Sequence, residues 1–309
     1  MTPIVSMIKR VSWFLTWGVL GLVAGAITLS SQGCSGPPLE PWHTEKLTAE
    51  FTAEMADEIR TFDDYIQLED RLFVQLEETV YARTATGPEY ALVRYSTGSA
   101  ADPQRSKPNW NRSFEIPANT PVGGVLLLHG MSDSPYSLRA LGETLNQRDY
   151  WVIGLRLPGH GTAPSGLTSI SWQDMAVAVR LSMEHLASKL GKKPIHIVGY
   201  STGAPLAIDF ALKALEGNGS PVPASLVLLS PAIGIHATAA LAKWKRRLSL
   251  LPGLGRLAWL SVMPEFDPYK YNSFATNAAE QVHGLTRSVA RRIAARSQSA
   301  PGEILPPTL

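Results

Sequence analysis

The chain has 309 residues, is 45% hydrophobic, and carries 28 lysines and arginines against 26 acids, a net charge of +2. That length supports one large domain with a full core plus extra segments, and the near-neutral balance gives no electrostatic basis for binding nucleic acid. The single cysteine, Cys34, excludes an intrachain disulfide. No His/Cys cluster has metal-ligand spacing, so no metal or other cofactor is expected.

In chain order, Lys9 and Arg10 precede a largely apolar run from Val11 to Leu29, followed by Ser31-Gln32-Gly33-Cys34 and a Ser-Gly-Pro-Pro linker. A basic flank before an apolar run reads as a secretory signal or a single membrane span, and the run is near the minimum span length. A glycine before a lone cysteine also resembles a bacterial lipoprotein signal, although Ser31 stands where that signal has an aliphatic residue. The positive flank places the remainder outside the cytoplasm. Residues 1–38 are therefore read as signal or membrane anchor plus linker, on a protein that faces the periplasm.

Residues 39–85 read as a helical, acidic extension. Leu47, Phe51, Met55, Ile59, Phe62 and Ile66 recur at three or four residues, and Phe73, Leu76 and Val80 continue the stripe. Lys46 to Val80 holds ten acidic and three basic residues. Such a segment serves either as a docking arm or, more simply, as a helical layer on the main domain with a solvated acidic face. Tyr90–Tyr95 and Arg112–Ile116 are expected to be antiparallel edge strands, joined by a polar loop over Ser99–Asn111.

The main domain, 86–309, begins to alternate at Val122. A buried strand runs into Leu128-His129-Gly130-Met131; Ser134-Pro135 then opens a helix, with serine as N-cap and proline in the first turn. Tyr150 to Leu157 is the next strand and ends in Pro158-Gly159-His160-Gly161. Trp172 to Leu190 is a helix. The strand from Ile195 then enters Gly199-Tyr200-Ser201-Thr202-Gly203, and a helix follows from Ala204 to Leu215. Ser225–Ser230 is one more strand. Alternation of this kind implies a doubly wound, mostly parallel α/β sheet.

Strand, sharp turn and helix with a serine at the apex form a nucleophile elbow. The flanking glycines are needed because a side chain at either would crowd the strained turn. The hydroxyl is then presented at the carboxyl end of a central strand, above a helix N-terminus that favours developing negative charge.

These three motifs, in this order, resemble the α/β-hydrolase superfamily, and in pattern its monoacylglycerol-lipase and serine-aminopeptidase-like esterases. The resemblance covers roughly Pro121 to Pro231. It implies that Ser201 is the nucleophile and that the backbone N–H groups of Met131 and Thr202 form the oxyanion hole. It also implies that His129 and His160 hold loops in shape rather than act as the base. His196, within the elbow strand, and His185, on a helix, read as structural.

The family order is serine, acid, histidine. Strand Ser225–Ser230 is followed by Pro231-Ala232-Ile233 with no acid at hand. Residues 234–283 read as an inserted cap and Leu285–Arg296 as a basic helix. Ile304-Leu305-Pro306-Pro307-Thr308-Leu309 looks like the start of the acid-bearing strand. By this alignment the catalytic acid and histidine are expected beyond Leu309; the in-chain alternatives are Asp267 and His283, which have the right order but follow no clear strand. From His236 to Ser297 there are ten basic and three acidic residues. Leu241–Val262 interleaves tryptophan and leucine with lysine and arginine, which suits either a membrane surface or a lid packed over the pocket.

The sequence thus points to an anchored serine ester hydrolase with an acyl or monoacyl ester as its small-molecule partner. An aminopeptidase-like hydrolase and a catalytically incomplete lipid-binding protein are the alternatives. Nothing in the sequence fixes an oligomeric state.

Overall fold

Three apolar segments with no charged residue, Gly123–Leu128, Tyr150–Leu155 and Ile195–Tyr200, form the middle of one sheet. The computed structural model describes residues 37–217, 219–233, 254–299 and 305–309, with positions 13, 14, 16–18, 20, 21, 25, 245, 247–249 and 251 besides. The strands are β1 (Phe114–Ile116), β2 (Gly123–Leu128), β3 (Tyr150–Leu155), β4 (Ile195–Tyr200) and β5 (Ser225–Leu229), in spatial order β1-β3-β2-β4-β5. β1 is antiparallel to β3, and the other pairs are parallel. Because β2 is buried throughout, it lies between two covered faces, as parallel strands must.

Leu128 is level with Leu155 and with Gly199, so the carboxyl ends of β2, β3 and β4 finish in one row. Beyond β5, Leu226 N–H donates to Pro307 O at 2.9 Å and Leu309 N–H to Leu226 O at 3.0 Å, with a parallel bridge between Leu226 and Thr308. The segment expected to start a further strand therefore lies on the outer side of β5.

The helices whose whole span is described are α1 (Pro41–Thr44), α2 (Phe62–Thr79), α3 (Arg139–Asn146), α4 (Trp172–Leu190), α5 (Gly203–Leu215) and α6 (Thr276–Ser299). α4 starts at a full capping box, in which Ser171 Oγ accepts from Asp174 N–H and Asp174 accepts from Ser171 N–H. Phe51, Ile59, Phe62, Tyr65 and Leu68 of the extension join the same buried cluster as β2, β3, α4 and α5. The extension is a layer of the main core.

Four expectations need correction. The extension is not one helix: a turn region and a 3-10 segment (Ala53–Asp57) separate α1 from α2, whose start is fixed by the Thr61–Asp64 capping box. Its buried face is Phe62, Tyr65, Leu68, Glu69, Leu72, Phe73 and Leu76. Tyr90–Tyr95 is not a strand, because Arg94 and Tyr95 turn inward together, Leu92 is exposed, and Val93 N–H closes a turn on Tyr90 O. α6 begins at Thr276, inside the interval read as cap; its start follows a short hairpin of β6 (Trp259–Ser261) and β7 (Phe274–Ala275). The end of the Leu241–Val262 stretch is thus strand, with Trp259 buried edge-on against His43.

Positions 241–244, 246, 250, 252 and 253 of that stretch, and most of residues 1–38, lie outside the described residues. Among the described residues no helix is long and apolar enough to cross a membrane.

Candidate active site

Ser201 stands at the turn between β4 and α5 with φ +51°, a left-handed conformation that a serine adopts only when its surroundings impose it. Ser201 N–H donates to Leu229 O at 2.9 Å, and Ser201 O accepts from Ala232 N–H at 3.1 Å and Ala204 N–H at 3.2 Å. The turn is therefore tied to β5, to the loop after it and to α5. Gly203 is forced by close approach: a Cβ there would sit 2.2 Å from Leu128 O, and one at Gly199 would sit 2.5 Å from Gly203 O. Gly203→Ala is expected to cost about 2 kcal/mol through overpacking, a loss of about 5 °C in thermal midpoint. A calorimetric midpoint equal to wild type would contradict this.

The loop after β2 lies against the serine. A Cβ on Gly130 would be 3.1 Å from Ser201 Cβ, so the Gly130–Met131 peptide borders the nucleophile directly. Thr202 is buried and precedes α5, placing its N–H in the first turn of that helix. Among the described residues, neither the Met131 nor the Thr202 N–H donates to a protein acceptor. Two unused donors, from the loop and the helix end, suit an oxyanion.

Both loop histidines are buried and neutral. Leu157 N–H can only donate, and it donates to His129 Nε2 at 3.1 Å; the ring proton is therefore on Nδ1, which donates to Gly130 O at 2.8 Å. Burial, then His160, hold the His129 pKa well below the usual histidine range. His160 Nδ1 donates to Pro158 O at 2.9 Å, and its ring is packed edge-on to His129 and stacked on Tyr271. Burial lowers its pKa to about 4. Both side chains shape loops. His196 bonds Ser225 Oγ at 2.8 Å and His185 bonds Glu115 at 3.0 Å, both structural contacts.

The alternative pair does not reach the serine by hydrogen bonds. Asp267 Oδ1 accepts from Tyr269 N–H at 2.8 Å and Lys270 N–H at 3.0 Å, closing its own turn. His283 lies within α6, part-buried, where its carbonyl accepts from Thr286. Among the described residues no histidine side chain hydrogen-bonds Ser201 Oγ.

The sequence does not announce a buried ion cluster behind the loop. Arg156, directly after β3, is 1% exposed. It forks onto Glu50 through Nη1 and Nη2, both at 3.0 Å, and binds Glu69 through Nε at 2.9 Å. Its Nη1 also donates to His160 O at 3.0 Å, while Glu50 accepts from Gly159 N–H at 2.8 Å. Glu69 accepts in addition from the N–H and Oγ–H of Ser113, both at 2.8 Å. Glu69 falls seven residues after Phe62, on the apolar face of α2, and an acid on a buried stripe is the signal for a buried cation. A cavity of about 320 Å³ opens elsewhere, between the extension and the segment 262–265, lined by Trp42, His43, Tyr90, Val93 and Met263 among others; neither Ser201 nor the two N–H donors line it.

Residues 119–294 match the family described as serine aminopeptidase, S33. A thermostable monoacylglycerol lipase of Bacillus sp. (strain H-257) is 31% identical over 122 residues, which is 40% of this chain. The chain spans 45% of that relative's length. The solved monoacylglycerol lipase of Paleococcus ferrophilus superposes with a TM-score of 0.42 at 19% identity, over 59% of this chain and 73% of that one. A soluble variant of monoglyceride lipase from Saccharomyces cerevisiae gives 0.41 at 14% identity, over 62% and 67%.

Proposed function

The chain belongs to the serine aminopeptidase family S33, with the α/β-hydrolase fold, and from that premise we propose that it is a serine-dependent carboxylic ester hydrolase acting on acyl or monoacyl esters. The observation that carries the reading is Ser201 at φ +51° on the strand–helix turn. Ser201 Oγ attacks the ester carbonyl, and the developing oxyanion takes hydrogen bonds from the N–H groups of Met131 and Thr202. Each such donor is worth about 3 kcal/mol of barrier. A base takes the hydroxyl proton and passes it to the departing alcohol; water then cleaves the acyl-enzyme. Since no histidine among the described residues bonds Ser201 Oγ, and Asp267 spends Oδ1 on its own turn, base and acid are assigned to residues outside those described.

The Bacillus relative's name supports a monoacyl ester as substrate. The family's description keeps an aminoacyl amide as the second reading. Anchorage through residues 1–38, facing the periplasm, is part of the same proposal; Trp13, Phe14, Trp17 and Leu20 there each leave more than half of their surface exposed, as a lipid-facing segment would.

The test is to treat the native full-length protein with a fluorophosphonate, map the adduct, and compare monoacylglycerols with aminoacyl amides as substrates. One adduct on Ser201 and faster ester turnover are expected. Faster amide turnover moves the reading to a peptidase. A folded protein with no adduct overturns the hydrolase reading in favour of a lipid-binding protein.

A further inference from the structure

The extension reaches the oxyanion hole through two peptide planes and one imidazole. Tyr65, on α2, is 1% exposed, and its hydroxyl donates to Arg156 O at 2.6 Å. That carbonyl belongs to the same rigid peptide unit as Leu157 N–H, which points the opposite way. Leu157 N–H donates to His129 Nε2, and His129 Nδ1–H donates to Gly130 O. The Gly130 carbonyl shares its peptide plane with the N–H of Met131, so holding the carbonyl fixes the direction of that donor. Gly130 O accepts one more bond, from Asp133 N–H at a longer 3.3 Å.

We propose that Tyr65 is a positioning residue for the oxyanion hole, acting through the 156–157 peptide, His129 and the 130–131 peptide to aim the Met131 N–H; this rests on the hydrolase reading above. Tyr65 lies outside residues 119–294, so the family's own segment does not contain it. Arg156 is anchored at its N–H and at every guanidinium nitrogen, which leaves its carbonyl to Tyr65. Glu50 and Glu69 hold the Arg156 guanidinium, and Ser113 Oγ accepts from Arg156 N–H at 2.9 Å. Phe51 packs edge-on against the Tyr65 ring, and Phe62 stacks on it. With the residue pinned on both sides, the single polar contact of its hydroxyl sets where the 156–157 peptide plane lies. Burial raises the Tyr65 pKa far above its usual value, so the hydroxyl remains a donor at every working pH.

The test uses Tyr65→Phe in the native full-length protein, because phenylalanine fills the same volume and removes only the donor. Turnover of a chromogenic acyl ester is measured per fluorophosphonate-reactive Ser201, so that unfolded molecules are not counted. We expect kcat per reactive serine to fall about 10-fold, with KM within about 2-fold, as for a misaimed transition-state donor. Unchanged kcat per reactive serine, with fewer reactive serines, would make Tyr65 merely structural and overturn the inference. If wild-type protein neither reacts with the probe nor hydrolyses the ester, it is the hydrolase reading that fails. A second measurement needs no variant: ¹⁵N shifts of His129 in wild type should show a protonated Nδ1 and a bare Nε2 at neutral pH. The opposite tautomer breaks the relay and overturns the inference.

Discussion

Arg156→Met is expected to bring the protein to the edge of unfolding at room temperature. The guanidinium is buried between Glu50 and Glu69, which are themselves almost fully enclosed. Burial opposes its charge, but the facing carboxylates, Glu50 foremost, outweigh burial and hold the arginine well above its usual pKa. Methionine matches the stem in length and leaves two carboxylates without their cation. Breaking one buried pair in this way costs about 3–5 kcal/mol, and two are broken here, against a whole-domain stability of about 5–15 kcal/mol. The thermal midpoint should fall by more than about 10 °C. Replacing Arg156, Glu50 and Glu69 together with apolar residues should restore most of it, since a buried ion cluster is often matched by well-packed hydrophobic groups. A single variant within about 1 kcal/mol of wild type in urea would show that the cluster is solvated in practice.

Acid is expected to destabilise the fold between pH 6.5 and about 4. His43 and His160 have pKa values lowered from 6.5 to about 4, His43 by burial and then by Arg256, His160 by burial against the opposing pull of its bond to Pro158 O. Both are neutral in the folded chain. Glu40 N–H donates to His43 Nδ1, so its Nε2–H donates to Ser273 Oγ at 2.9 Å. In the unfolded chain these rings take protons below about pH 6.5, whereas the native state refuses them until about pH 4. The stability each contributes is thus whole above pH 6.5 and is lost as the pH falls to about 4, about 3 kcal/mol apiece. His129 adds to this in the same direction. Glu265 and Asp133 oppose it: burial raises both carboxyl pKa values, so the native state gains from their protonation as pH falls. The histidines outnumber them, so urea midpoints should hold from pH 7.5 to about 6.5 and then drop towards pH 4.5. A flat profile across that window would mean that the rings are solvated.

What the sequence revealed is what local pattern encodes. β2, β3, β4, α4 and α5 are strong periodic runs bounded by glycine, proline and capping residues, and their limits could be read to within two residues. The elbow was legible because its strand, turn and helix are contiguous and Gly199 faces Gly203 O four residues on; only the approach of Gly203 to Leu128 O, one strand across, lies beyond a local window. Tyr90–Tyr95 was misleading because its conformation answers to partners far along the chain. Arg94 N–H donates to Glu265 O, and its guanidinium reaches Asn111 and Gly161. The start of α6 at Thr276 is set likewise by Thr276 Oγ1 on Leu257 O. The Arg156 cluster joins residues 87 and 106 positions apart, a pairing that no window of sequence displays.

The same cluster bears on the order in which the chain can assemble. Residues 39–85 leave the ribosome before β3, and domains fold from the N-terminus as they are made. When Arg156 emerges, the acids that neutralise it are already available, so the central sheet never has to close over a bare charge. A circular permutant that moved the extension to the far end would reverse that order. It would retain every native contact, yet the half-made sheet would wait, open and adhesive, for a segment synthesised last.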